Sequence, residues 1–292
     1  MFFKIFRNNN GKDYDNKYEA ILKELNNYKW EEFDIIKSMV QPAIEIISNQ
    51  ANNIPIGASK IGGTPDLPST FDWPKFESKS MLFFAQINLS EISSYHRSDL
   101  LSKNGIIYFF AYFPKPENEF GAAYDFLKDK KEYKILFYNG EISELKNTIF
   151  PNDIIPDYQF SSNQLSFRTF FQLPPSIETG IIESSSLSEM DKELLQQYND
   201  QFSDGIIDQI LGIPKPVQYG ADFDLALSYL NLDYSECENR KAEIDKIRPD
   251  FINLLCLPIF DRIGDSQMYF GIHKEDLKHK RFDKTILILQ GT

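Results

Sequence analysis

The chain has 292 residues, with 31 Lys or Arg against 43 Asp or Glu, so its formal charge is −12 with histidine neutral. This acidic balance argues against nucleic-acid binding, because neutralising phosphates requires a net basic face. With 42% hydrophobic residues the chain can bury a large core, which excludes a disordered protein, and its two cysteines are too few for a disulfide framework. We expect a reduced, cytoplasmic protein, and any protein partner is expected to be basic.

The N-terminal sequence argues against secretion and against a membrane anchor. Lys4 interrupts the apolar residues at the start and Arg7 ends them, so no signal sequence of sufficient length is present. The longest apolar runs elsewhere, such as 106–113 and 285–289, are far shorter than the ~20 residues that a membrane-spanning helix needs. We therefore expect no association with membranes.

The segment 1–40 is predicted to be helical. Between residues 18 and 28, apolar side chains recur at intervals of three and four, which is typical of an amphipathic helix. A second helix is predicted over 31–40 and ends before Pro42, because proline disfavours the helical conformation of the residue before it. The Ile-rich segment 43–47 then predicts a strand.

A long loop is predicted over 51–80, where glycine and proline recur too often for regular structure. Ordered loops of this length inside a compact domain are usually functional. Three aromatic residues in it, Phe71, Trp73 and Phe76, favour packing over disorder.

The rest of the chain mixes strands with scattered helices. Strands are predicted at 81–88, 106–113, 133–138, 251–259, 267–272 and 285–290, with one or two more in 160–173, and helices at 89–102 and 187–198. The charged stretch 237–248 predicts an exposed helix or a linker. Without regular alternation of strand and helix, the pattern favours an α+β fold with largely antiparallel sheets and flanking helices. We treat 41–292 as a single domain behind the helical segment.

Two parts of the chain follow the same order of motifs. A glycine–proline turn, a strand, an acidic residue and an aromatic strand occur as 62–65, 82–87, Glu91 and 108–110, and again as 211–214, 254–259, Asp261 and 269–270. The spacings differ between the two series. Both an internal duplication, with halves at 41–150 and 205–292, and a chance similarity of aromatic strands are compatible with this pattern.

The most specific motif lies in the first half of the chain. It consists of the segment 57–68, Trp73-Pro74, the strand 82–88, Gly105 and Tyr108-Phe109-Phe110, followed downstream by 211–218, Gly264-Asp265, Tyr269-Phe270 and Asp276-Leu277. This pattern resembles the YwqG-like family of uncharacterised proteins over residues 40–292. Cys256 and Ile263 depart from the family pattern, in which a glutamine and an aromatic residue are usual. Because that family is a domain of unknown function, the resemblance implies an α+β fold and no reaction.

Few residues offer metal or nucleophile chemistry. None of the three histidines is paired with another at helical spacing, so we predict no metal site and no cofactor. No phosphate-binding glycine motif and no Gly-x-Ser-x-Gly motif occurs. Cys256 falls within an apolar strand, where burial raises the pKa of a thiol and makes it a poor nucleophile.

Three carboxylates are the candidate catalytic residues: Asp66, Asp222 and Asp265. Each lies in or near a loop, and loops at strand ends place side chains in clefts. Asp66 and Asp265 can instead cap turns by accepting hydrogen bonds from backbone N–H groups, and the sequence favours this second role.

Trp73, Gln86 and Gln218 are the candidate ligand-binding residues. Gln86 interrupts an apolar strand, so its buried amide must find partners or cost about 1–3 kcal/mol. An aromatic ring beside a fixed amide is also a common recognition pair. Two roles therefore stay open for Gln86: reading a ligand beside Trp73, and holding the long loop to the sheet.

These observations favour a non-catalytic binding or regulatory protein. Its partner would be a basic protein, as in an immunity-type protein, or a small molecule. Two alternatives remain: a small-molecule hydrolase that uses Asp66, Asp222 or Asp265, and a scaffold in which the loop motif serves only the fold.

Overall fold

The computed structural model of the chain describes residues 10–51, 53–97, 99, 101–113, 130–175, 179–183, 185–202, 208–218, 220–260 and 266–291. The candidate carboxylate Asp265 lies outside the described residues, as do Asp261, Ile263 and Gly264 of the sequence motifs. Within the described part of the chain, no helix is both long enough and apolar enough to span a membrane.

Among the described residues, ten strands form one antiparallel sheet, and two pairs of short strands form separate ribbons. The strands are β1 (Gln41–Gln50), β2 (Lys60–Ile61), β3 (Asp66–Pro68), β4 (Lys75–Phe76), β5 (Lys79–Ser80), β6 (Leu82–Asn88), β7 (Ile106–Ala111), β8 (Tyr133–Tyr138), β9 (Leu145–Asn147), β10 (Asn163–Gln172), β11 (Gln209–Leu211), β12 (Phe251–Pro258), β13 (Ser266–His273) and β14 (Ile286–Gly291). The order across the large sheet is β14-β13-β12-β11-β1-β10-β2-β6-β7-β8, and the ribbons are β3-β9 and β4-β5.

Helices accompany this sheet, which confirms the predicted mixture of helices with a largely antiparallel sheet. They are α1 (Asn10–Leu25), α2 (Phe33–Ser38), α3 (Leu89–Ile92), α4 (Gly180–Glu183), α5 (Glu189–Phe202), α6 (Ala221–Leu230), α7 (Cys237–Ile247) and α8 (Lys274–Lys278). Apolar residues of α1, α2 and α5 share one buried cluster, and α1 packs on β10, where Tyr14 and Tyr18 contact the ring of Phe171. Apolar residues of α6 and α7 form another cluster.

The structure differs from the predicted elements at several places. The helix predicted over 89–102 ends at Ile92, where serines follow and hydroxyls compete for backbone hydrogen bonds. The loop predicted over 51–80 contains the four short strands β2 to β5. Helix α6 is not among the predicted elements, because its sequence directly follows a breaker-rich turn. Of the two alternatives predicted for the charged stretch 237–248, a helix or a linker, the structure shows the helix α7.

The large sheet has two arms on either side of a central pair of strands, β1 and β10. We call β2, β6, β7 and β8 the first arm, and β11, β12, β13 and β14 the second arm. β1 precedes the first arm in the chain but pairs with β11 of the second arm, whereas β10 pairs with β2. The rings of Phe109 in β7 and Phe270 in β13 meet with centroids 4.9 Å apart, so the sheet curls until its arms touch.

The two arms share irregularities of pairing. Near the start of β6, the register with β7 shifts between Phe83 and Ala85. Near the start of β12, the register with β13 shifts between Asn253 and Leu255. Such bulges bend a strand locally and re-aim its side chains. Both arms therefore bend at matching positions.

The turns after the first strand of each arm also share the same backbone conformation. Gly62 and Gly63 have φ values of 65° and 66°, and Leu211 and Gly212 have 61° and 62°. This left-handed conformation favours glycine, so Leu211 adopts it at a cost. The two turns approach the central strands equally closely.

That close approach excludes a side chain at the second residue of each turn. A Cβ atom on Gly63 would lie 2.6 Å from Cβ of Ser162, and one on Gly212 would lie 2.6 Å from Cβ of Ala43. Only glycine fits such a contact without displacing the central strand.

Candidate functional site

A buried polar network occupies the first arm, and Asp66 is its centre. The Asp66 side chain is fully buried, and Oδ1 accepts hydrogen bonds from Lys60 Nζ at 2.9 Å and Asn147 Nδ2 at 3.0 Å. Oδ2 accepts from the Gly57 N–H and from Gln86 Nε2, both at 2.9 Å. The loop at 57–68 is thus tied to β6 and β9 by one carboxylate.

The charge state of this network follows from its contacts. Burial acts to raise the pKa of Asp66, but hydrogen bonds from Lys60, Gly57 and Asn147 hold that pKa below its usual value. Burial lowers the pKa of Lys60, against the opposing effect of Asp66. The pair is therefore an ionised, hydrogen-bonded ion pair, and Asp66 has no free oxygen with which to take a proton from a substrate.

Both the oxygen and the nitrogen of the Gln86 side-chain amide form hydrogen bonds. Its Oε1 accepts from the Asp66 N–H at 2.8 Å, and its Nε2 donates to the backbone oxygen of Ala58 at 2.7 Å as well as to Asp66. Nearby, the Tyr108 hydroxyl donates to the backbone oxygen of Asp66 at 2.7 Å. This geometry supports the interpretation in which Gln86 holds the loop to the sheet.

Trp73 lies apart from Gln86, on an open groove. Its indole Nε1 donates to the backbone oxygen of Met81 at 2.8 Å, and its ring packs against Phe110 and Phe150. Other residues that line the groove include Lys75, Lys130, Lys131 and Lys134. The ring is partly buried, as expected for a residue that anchors the loop.

Gln218 belongs to the second arm. Its Nε2 donates to the backbone oxygen of Gly291 at 2.9 Å, and the neighbouring Val217 N–H donates to Oε1 of Gln290 at 3.0 Å. These bonds fix the turn that precedes α6 to the end of β14. Trp73, Gln86 and Gln218 therefore lie in different parts of the structure. Among the described residues, the sheet does not bring these three side chains together in one cavity.

Asp222 lies in the first turn of α6 and pairs with Arg248. Its Oδ2 accepts from Arg248 Nε at 3.0 Å and from the Gly180 N–H at 2.7 Å. The Arg248 side chain is 3% exposed and also pairs with Glu183 and, at 3.6 Å, with Asp245. Burial acts to lower the pKa of Arg248, but these carboxylates raise it overall. Asp66 and Asp222 are thus bound to different cations.

A cavity of about 250 Å³ lies beside this ion-pair cluster. It is bounded by the turn 211–214, the central strand β1, the strands β12 and β13, and helix α6. Asn253, which is 6% exposed, lines it and donates through Nδ2 to the backbone oxygens of Gln209 and Leu211 at 3.3 and 3.2 Å. Its Oδ1 is buried and has no hydrogen-bond partner among the described residues.

The match between the arms explains why this space is open. In the first arm, Phe83 pairs with Phe110, and their rings pack at 5.4 Å. The corresponding pair in the second arm is Asn253 with Gly271, and both line the cavity. Leu225 of α6 takes part of the vacated space, since a Cβ atom on Gly271 would lie 2.3 Å from its Cδ1.

The profile of a family described as a domain of unknown function, DUF1963, matches residues 59–291. The chain belongs to the DUF1963 family. No curated protein matches it. The DUF1963 region contains both arms and most of both the Asp66 network and the cavity lining, while α1, α2 and β1 precede it. Within the described residues, no cluster of three or more His, Cys, Asp or Glu side chains could hold a metal ion.

The cavity residues of this DUF1963 protein are absent from the sequence-based candidates, apart from Asp222. One signal could have found Asn253: it interrupts the apolar strand 251–258 with an amide, as Gln86 interrupts β6. Gly271 gives no such signal, because a glycine in a strand has several structural causes. The role of Gly271 in leaving the cavity open is evident only from its pairing with Asn253.

Proposed function

We propose that this DUF1963 protein is a non-catalytic binding protein whose ligand occupies the cavity beside the turn 211–214. The observation that carries the proposal is Oδ1 of Asn253, a buried acceptor without a partner among the described residues. An unsatisfied buried acceptor costs about 1–3 kcal/mol, which a ligand N–H or O–H would recover. Pockets with apolar walls and a few placed polar groups are the usual form of small-molecule sites.

The lining supports a small, mainly apolar ligand with one hydrogen-bond donor. Pro42, Ile213 and Leu225 are among its apolar walls. The charged groups on its edge are Asp222 and Arg248, and Arg248 is paired with Glu183 and Asp245 as well. The carboxylates of this cluster, Asp222, Glu183 and Asp245, outnumber its cations, Arg248 and Lys241, so a neutral or positively charged ligand is favoured over an anion.

The same lining argues against catalysis. Its titratable side chains, among the described residues, are Asp222, Arg248 and Tyr269. Asp222 and Arg248 neutralise each other, and the Tyr269 hydroxyl donates to the backbone oxygen of Lys215 at 3.0 Å. Burial raises the pKa of Tyr269 far above its usual value, so it does not exchange protons near neutrality. None of the three is placed as a general base.

Indole and 1-methylindole provide a matched pair of probes, because only indole carries an N–H donor. We expect indole to bind the wild-type protein about 2- to 10-fold more tightly in titration calorimetry, which corresponds to one net hydrogen bond. The variant Asn253→Phe, which introduces the residue found at the matching position of the first arm, should abolish binding of both. Ile149→Ala, at a side chain that is 85% exposed, is the control. Equal binding of indole by Asn253→Phe and the wild type would contradict the proposal.

A basic protein partner, as in an immunity-type protein, is a separate proposal that rests on the charge of −12. Opposite charge accelerates association and makes it sensitive to salt. Pull-downs at low and high salt test it, and the absence of any salt-sensitive partner would remove it. The narrower placement in the YwqG-like family, which the motif at 57–68 supports, is likewise a proposal.

We also infer that the two arms descend from a duplicated unit. The matching bulges, the matching left-handed turns and the two tyrosine hydroxyls bonded to Asp66 and Lys215 support this origin. The close contacts of Gly63 with Ser162, directly before β10, and of Gly212 with Ala43 of β1 support assigning one central strand to each unit. The second unit then begins near residue 163, earlier than the boundary at 205 expected from the sequence.

A further inference from the structure

A second cavity, of about 280 Å³, lies elsewhere in the protein and shares no lining residue with the first. It is lined by residues of β2, β6 and β12, by the segment 159–161 before β10, and by Asp208 directly before β11. The proposed binding site makes no use of this cavity, and none of the candidate site residues that the structure describes lines it.

Three phenylalanine rings form one wall of this cavity. Phe84 and Phe260 are stacked, with centroids 5.0 Å apart and planes 8° from parallel. Phe160 lies against Phe260 with centroids 4.0 Å apart. The face of an aromatic ring is electrostatically negative and attracts cations.

Asp208 supplies the one charge of the described lining. Its backbone oxygen accepts from the Ile46 N–H at 2.8 Å, which fixes the residue against β1. Its carboxylate has no hydrogen-bond or ion-pair partner among the described residues, whereas Asp66 accepts four hydrogen bonds. Ser59 stands at the matching position of the first arm, with its backbone oxygen bonded to the Leu165 N–H.

We propose that this cavity binds the ammonium group of a small organic amine, with the Asp208 carboxylate as counter-ion and the Phe84, Phe160 and Phe260 rings around the apolar part. A carboxylate beside aromatic rings satisfies both the charge and the carbon chain of such a molecule. An anion would be repelled, and a purely apolar molecule would leave the carboxylate unpaired.

The titration of Asp208 links binding to pH. Burial raises the pKa of Asp208 to about 6. Cys256 is the neighbouring titratable group, and burial raises the pKa of its thiol far above the usual range, so it stays neutral. The adjoining segments 203–207 and 261–265 lie outside the described residues. An amine should bind the ionised form of Asp208 and lower its pKa, so affinity should fall as pH falls through about 6.

The probe is n-butylammonium, with the uncharged 1-butanol as its near-isosteric partner. We expect n-butylammonium to bind the wild-type protein more tightly than 1-butanol at pH 8, in titrations followed by NMR. Its affinity should fall about tenfold between pH 8 and pH 5, as expected for a carboxylate that is half protonated near pH 6. Asp208→Asn should remove the difference between the two probes.

Two further variants distinguish binding in this cavity from general effects on the protein. Phe160→Leu should weaken n-butylammonium binding several-fold and keep its pH dependence. Asp283→Asn, at an exposed carboxylate, should leave binding unchanged. Unchanged affinity in Asp208→Asn, equal binding of the two probes by the wild type, or no saturable binding at pH 8 would each overturn the proposal. Thermal melts of every variant show whether a loss of binding is a loss of folding.

Discussion

The two arms of the sheet have matching bulges and matching left-handed turns, yet at the paired positions beside the bulge the first arm is filled and the second is open. In the first arm, the rings of Phe83 and Phe110 pack together. In the second arm, Asn253 and Gly271 stand at the matching positions and leave a cavity with an unpaired acceptor. The comparison separates residues that maintain the fold from residues that have another use.

The largest loss of stability is expected when a buried ring is removed from the first arm. Phe83→Asn should destabilise the protein by about 3–5 kcal/mol, because a buried phenyl ring is lost and a polar amide is buried in its place. Urea unfolding followed by circular dichroism measures this change. The reciprocal variant Asn253→Phe should cost much less, since it enters existing space. Equal costs for the two variants would show that the arms are equally packed.

The next largest loss of stability is expected when the Lys60–Asp66 ion pair is broken. Asp66→Ala should cost about 3–5 kcal/mol, because it leaves the Lys60 ammonium buried and unpaired. The double variant Lys60→Met with Asp66→Leu should recover part of that loss, because it removes both charges together. The exposed Asp283→Asn serves as control. A double variant as unstable as Asp66→Ala would show that the lost Asp66 hydrogen bonds, and not the unpaired Lys60 charge, dominate.

The sequence predicts the parts of this comparison that depend on neighbouring residues. Alternation and apolar runs place β6, β7, β12 and β13, and the buried amide of Gln86 implies partners in the loop. The cavity is not predictable in the same way, because it depends on which residues face each other across two strands. The Lys60–Asp66 and Asp222–Arg248 pairs also escape prediction. The first joins two short strands of the predicted loop, and the second joins the start of α6 to the residue after α7, so both depend on how the chain folds.

The ionised Asp208 carboxylate should lower the stability of the folded protein, whereas the ionised Asp66 carboxylate should raise it. Its folded-state pKa of about 6 lies above that of an ordinary aspartate, so ionising it costs stability at high pH, and the cost disappears as pH falls below about 4. Asp208→Asn should therefore stabilise the protein by about 2 kcal/mol at pH 8 and by almost nothing at pH 4. Thermal unfolding at the two pH values measures this. Stabilisation of the same size at both would mean that burial does not perturb Asp208.

The smallest expected effect compares the two buried amides. Gln86→Leu should cost about 1–3 kcal/mol, because it leaves the Asp66 N–H and the Ala58 oxygen without partners. Asn253→Leu loses two long bonds to the Gln209 and Leu211 oxygens but also removes the unpaired Oδ1, so its stability should stay within about 1 kcal/mol of the wild type. If the two losses are equal, Asn253 has the same structural role as Gln86. If they differ as expected, an amide that contributes little to folding is kept in the cavity, which is the pattern of a residue that contacts a ligand.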